Sequence, residues 1–188
     1  MTDAVRPFRG GYTKLFGAAI FIKAFLDGRG PEFGVTRIDP ERGAPQADLH
    51  SAYKLALHMA LADDQALRDI DEAIKAGRPY PDEEFEIRRS YYLSRIPSRL
   101  CRMRYASFTN YFARLIKLGW VEGTGEEEPS RPQESWPDAR PRVYYRLTPA
   151  GRAAPEGEWS NPLRLLYPQF DAAYFEAKRK GRRYFRRR

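Results

Sequence analysis

A single cysteine, Cys101, stands among 188 residues. No disulfide can close within the chain, and the expected setting is the reducing cytoplasm. There are two histidines, His50 and His58. They lie more than two turns apart on an expected helix, too far to share a metal ion, and read as packed or surface side chains. No apolar run approaches the roughly 20 residues that cross a bilayer. Residues 15–26 form the most apolar stretch, but Lys23 interrupts it and no small-residue cleavage site follows. Neither a membrane span nor a secretory leader is expected. The sequence also lacks a Walker-type phosphate loop, a dinucleotide glycine fingerprint, a cysteine pair for zinc and a nucleophile-elbow motif. Cys101 has Arg99 and Arg102 nearby, which could lower a thiol pKa, but it reads first as a small packed side chain. The expectation is therefore a protein that is not an enzyme, with no catalytic residues, no metal and no cofactor.

What is present is apolar bulk and segregated charge. Hydrophobic residues make up 42% and aromatics 14%, enough to bury a core. The net charge of +8 is not spread evenly. The last eleven residues, "KRKGRRYFRRR", hold eight basic side chains: Lys178, Arg179, Lys180, Arg182, Arg183, Arg186, Arg187 and Arg188. Without those eight, 25 basic residues face 25 acidic ones. A second basic segment lies at residues 87–121, which contain no Asp or Glu but include Arg99, Arg102, Arg104, Arg114 and Lys117. Such segregation points to a polyanion, with nucleic acid as the first candidate and an acidic membrane surface or protein behind it.

Punctuation organises the chain. Residues 12–27 have helical composition and stop at "GRGPEFG". After a loop to Gln46, apolar residues recur at threes and fours over 47–76, with Asp63 or Asp64 as a cap between two helices or a kink in one. "GRPYPD" at 77–82 is the clearest boundary, because the prolines cannot continue a helix and Asp82 can cap the next. Glu83, Glu84 and Glu86 suit a first turn, and Phe85, Ile87, Tyr91 or Tyr92 and Ile96 supply an apolar side. Ser98 can cap a short helix, and Ser107 a third one that reaches Leu118 and ends at Gly119. The expected division is a helical region at 1–80, a domain at 82–152, and a linker, helix and basic tail at 153–188.

The third helix carries the functional expectation. Phe108, Tyr111, Phe112, Leu115 and Leu118 share one side and should face inward. Ser107, Asn110, Arg114 and Lys117 form the opposite stripe, with Thr109 beside it. Asn can pair with an adenine edge, Arg with a guanine edge, and Lys with phosphate. Further on, "RPRVYYRLTPAGR" alternates as a half-buried strand, with Val143, Tyr145 and Leu147 on one face and Arg142, Tyr144 and Arg146 on the other.

The words "FARLIKLGWVE" and "RPRVYYRLTPAGR", in that order after two helices, resemble the recognition helix and wing of PadR-like regulators, with MarR-like proteins a close second. The resemblance covers about residues 82–152. It implies a mainly α, winged helix-turn-helix fold with a two-stranded wing, in which the strand at 142–147 pairs antiparallel with one around residues 120–122. It also implies a recognition helix at 107–118 and Arg140, Arg142 and Arg146 at the wing base near phosphate. Glu126, Glu127 and Glu128 would then sit at the wing tip, pointing away from DNA, lying disordered or meeting a basic protein surface. The 80 N-terminal residues depart from the family's usual layout. Either they or residues 163–175 would supply dimer contacts.

The first functional expectation is a transcriptional regulator binding double-stranded DNA as a homodimer, cytoplasmic and nucleoid-associated, with the tail adding non-specific affinity. RNA is an open alternative for the tail, where Tyr184 and Phe185 could stack bases. The other class is a structural or adaptor subunit of a larger nucleoprotein or protein assembly, using the winged helix for docking.

Overall fold

The computed structural model describes residues 17–79, 81, 83–97, 101 and 103–166. The expected caps Asp82 and Ser98, the site candidates Arg99 and Arg102, and the whole basic tail lie outside the described residues. The described chain is mainly helical with one small antiparallel sheet of three strands. No described helix is long and apolar enough to cross a membrane.

The chain divides into two compact units. One unit joins Gly17–Tyr53 to the chain from Arg104 onward, and the other contains Lys54–Met103.

In the first unit, α1 (Ala18–Leu26) buries Phe21, Ile22, Phe25 and Leu26. Lys23, which breaks this apolar run in the sequence, donates its ammonium to Ala154 O at 2.6 Å and lies 5.8 Å from the Trp159 ring centroid. Strand β1 (Ala44–Pro45) leads directly into α2 (Gln46–Lys75). After α4 (Tyr105–Lys117) come β2 (Val121–Glu128) and β3 (Arg142–Leu147). The sheet order is β1-β3-β2, with both pairings antiparallel. The expected pairing of 142–147 with residues around 120–122 is found, with Val121 opposite Leu147 and Glu122 opposite Arg146. The two-stranded expectation is corrected by β1, which places Ala44 opposite Tyr145. Gly43 makes this approach possible at φ +75°, because a Cβ there would overlap the Tyr145 carbonyl.

The α4 core side holds Phe108, Phe112 and Leu115, all fully buried. Phe108 stacks toward Tyr53 at 6.5 Å, and Tyr53 meets Phe21 at 5.3 Å. Short helices α5 (Pro149–Ala153), α6 (Glu156–Ser160) and α7 (Pro162–Leu166) follow the sheet. Trp159 on α6 is fully buried, its ring 4.6 Å from that of Trp120. Its indole N–H donates to Gly151 O at 3.0 Å, which satisfies the polar edge of a large buried ring.

In the second unit, α2 runs on without a break where a cap or kink was expected. Asp64 instead pairs with Arg68 one turn away, at 3.0 Å, and Asp63 accepts from Arg89 of α3 (Glu84–Arg95) at 2.6 Å. A residue caps a helix only where the backbone leaves it, and Ala62 and Ala66 keep this stretch a good helix former. The apolar side expected of α3 is found in part: Ile96, just past its end, is buried and Phe85 and Tyr92 are half-buried, whereas Ile87 and Tyr91 are exposed. Polar contacts accompany it. Arg88 binds Asp69 at 3.1 Å and Glu84 at 2.6 Å, and the Tyr92 hydroxyl donates to Asp69 at 2.5 Å. Burial, reinforced by that carboxylate, pushes the Tyr92 phenol up to about 12.

Candidate nucleic-acid interface

Helix α4 starts two residues before the expected Ser107 cap. Arg104 takes the N-cap position with an extended ψ of 138° and no side-chain cap bond, leaving Ser107 exposed in the first turn. The expected stripe faces solvent: Ser107, Asn110 and Lys117 are exposed, and Thr109 and Arg114 are half-buried. Thr109 spends its hydroxyl proton inside the helix, donating to Ala106 O at 3.0 Å. The α4 sequence contains no acidic residue. Among the described residues Asn110, Arg114, Lys117 and Arg104 have no ion pair or side-chain hydrogen bond with another side chain.

Tyr111 and Leu118, expected inside, are half-buried at the border of the core. Burial pushes the Tyr111 phenol up to about 12 despite the opposing field of Arg114. At the start of α4, the His50 ring lies 5.2 Å from both Tyr105 and Phe108. That is the packed histidine expected from sequence. His58 is half-buried on α2. Cys101 is buried, and burial pushes its thiol up, as befits a packed side chain rather than a reactive one.

The β2–β3 hairpin corrects two expectations. Glu126, Glu127 and Glu128 do not sit at the tip: they are the end of β2, with Glu127 opposite Val143 and Glu128 opposite Arg142. A bulge between Gly123 and Glu127, with Gly125 at φ +82°, re-aims this stretch. Glu126 accepts from Arg42 at 2.6 Å, and Arg42 in turn lies 4.4 Å over the Tyr144 ring. Tyr144 was expected on the outer face, yet Arg42 covers it to 6% exposure while its hydroxyl donates to Glu128 at 2.6 Å.

The wing-base arginines face carboxylates. Arg142 pairs with Glu128 at 2.9 Å and with Asp48, and Arg146 pairs with Glu122 at 2.9 Å and Glu41 at 3.7 Å. Glu41 also takes Arg152 at 2.8 Å. A guanidinium already engaged by one or two carboxylates must give them up before it can bind phosphate. Arg140 is exposed and has no ion pair among the described residues. Glu41, Arg42 and Asp48 were missed as partners because they lie in a loop or at a helix start with no periodicity; the glycine after Arg42 was the one available signal.

The loop beyond the ladder has local structure. Arg131–Glu134 forms a 3-10 turn, and Ser130 N donates to Gln133 Oε1 at 2.7 Å. Trp136 follows, 71% exposed, with its backbone N–H donating to Pro132 O at 2.8 Å.

Among the described residues no cluster of three His, Cys, Asp or Glu is placed to hold a metal ion. Comparison with protein-family models, with curated proteins and with solved structures gives no match to this chain.

Proposed function

We propose that the unit built from Gly17–Tyr53 and the chain from Arg104 onward is a winged helix that binds double-stranded DNA through α4, as a transcriptional regulator does. The observation that carries this reading is the acid-free outer side of α4, where Asn110 and Lys117 are exposed, Arg114 is half-buried, and none of the three has a carboxylate partner among the described residues. In this reading the start of α2, which packs on α4 through His50 and Tyr53, is the first helix of the helix-turn-helix. Lys54–Met103 is then an insertion between the pair, and β2–β3 is the wing. Base contacts fall to α4. The wing contributes shape and Arg140, while Arg142 and Arg146 brace the sheet. The basic tail, residues 178–188, adds salt-sensitive affinity for phosphate.

Selection from random duplex DNA, run beside random RNA, tests this reading. Enrichment of a defined duplex motif supports it, and a palindromic motif supports a homodimer. Enrichment from the RNA pool alone contradicts it.

A second reading, an adaptor within a protein or nucleoprotein assembly, is favoured by Trp136, a large aromatic side chain displayed on a structured loop. Interface hot spots are enriched in such residues. Stable capture of protein partners that survives nuclease treatment and is lost in Trp136→Ala would favour the adaptor.

A further inference from the structure

The fully buried Phe108, Phe112 and Leu115 define the inward line of α4. At about 100° per residue, the line farthest from them runs through Ala106, Asn110, Ala113 and Lys117. All four are exposed. Ser107 and Arg114 lie on one flank, and Thr109 and Ile116 on the other. The outermost surface is thus one short amide between two methyl groups, one turn away on either side, followed by a lysine.

This order has a chemical meaning in a major groove. Asparagine is short and reaches a base edge only if the helix backbone comes close. Ala106 and Ala113 permit that approach where longer side chains would hold the helix off. The Asn amide matches adenine, its oxygen accepting from N6 and its nitrogen donating to N7, and an alanine methyl fits the C5-methyl group of thymine. The central line holds no Arg to read guanine and no Asp or Glu to read cytosine. Arg114 is half-buried on the flank beside Tyr111, where a guanidinium meets backbone phosphate more readily than a base.

Resting on the DNA-binding reading above, we propose that α4 reads an A·T core: Asn110 pairs with an adenine edge, and the methyl groups of Ala106 and Ala113 meet thymine methyls within the adjoining steps. Ala106 to Ala113 span roughly 10 Å of helix, or about three base-pair steps. Lys117 and Arg114 supply phosphate contacts.

The test uses the full chain and the duplex recovered by selection, with each thymine replaced in turn by deoxyuridine. This removes one methyl group and leaves pairing intact. The expected result is binding about fourfold weaker at one or two thymines and unchanged at the rest. Asn110→Ala should lower the preference for the neighbouring adenine at least tenfold. A selected site with a G·C core, or one indifferent to every deoxyuridine, would overturn the A·T assignment while leaving duplex binding in place. Failure to enrich any duplex would overturn the assignment together with the reading on which it rests.

Discussion

Thr148 ties the end of β3 to the turn that follows α4: its hydroxyl donates to Gly119 O at 2.5 Å and its backbone N–H to Trp120 O at 3.0 Å. The same hydroxyl accepts from Gly151 N at 3.0 Å, capping α5. One side chain therefore fixes the exit of the helix, the hairpin and the next helix start. Thr148→Ala should cost about 1–2 kcal/mol, read as a lower urea midpoint with an unchanged slope, and Thr148→Ser should recover most of the loss. Equal stability of the alanine and serine variants would remove the hydroxyl from this account.

Gly151 is required by proximity. A Cβ there would overlap the Trp120 carbonyl, a backbone group that cannot swing aside as a side chain can. Gly151→Ala should destabilise by about 1–3 kcal/mol. The fluorescence of the two buried tryptophans should report the change, and a neutral effect would mean that α5 can move freely against the sheet.

The pairing of the sheet arginines makes a prediction about salt. Arg146 is engaged by Glu122 and Glu41, so Arg146→Ala should leave the slope of log affinity against log salt nearly unchanged. Lys117→Ala should reduce that slope by about 0.9, and removal of residues 178–188 should reduce it several times more. A large effect from Arg146 with none from Lys117 would move the phosphate contacts from α4 to the wing.

Two tyrosines set an alkaline limit on stability. Burial raises both Tyr92 and Tyr111 from the usual 10.0 to about 12. Below pH 10 each phenol is protonated whether the chain is folded or not, so neither contributes a pH dependence. Between pH 10 and about 12 the unfolded chain binds fewer protons than the folded one, so stability falls as pH rises. Tyr111→Phe should make that fall shallower, measured by thermal melts across the alkaline range. An unchanged curve would place the Tyr111 ring in solvent.

The sequence made α4 legible because an apolar line of Phe108, Phe112 and Leu115 recurs at helical spacing whatever surrounds it. The pairing of β2 with β3 was expected only through the resemblance carried by "FARLIKLGWVE" and "RPRVYYRLTPAGR"; the backbone contacts that Thr148 and Gly151 make there are seen only in the fold. Strand β1 was not, since two residues ending in a proline have no alternation to read. Nor were the partners of Arg142 and Arg146, since Asp48 and Glu41 are 94 and 105 residues away along the chain. Charge runs locate potential, whereas the fold decides which charges remain free. Arg88 and Arg89 illustrate this: they belong to the acid-free segment yet are bound by Asp69, Glu84 and Asp63.

The central claim is that α4 carries sequence recognition, and the most direct measurement is the ratio of affinities for a selected duplex and a scrambled one at fixed salt. The wild-type protein should prefer the selected duplex by a thousandfold or more on the order typical of specific binders. The Asn110→Ala, Lys117→Ala double variant should retain weak, salt-sensitive binding to both duplexes with most of the preference lost. A double variant that keeps the full wild-type ratio would contradict the account.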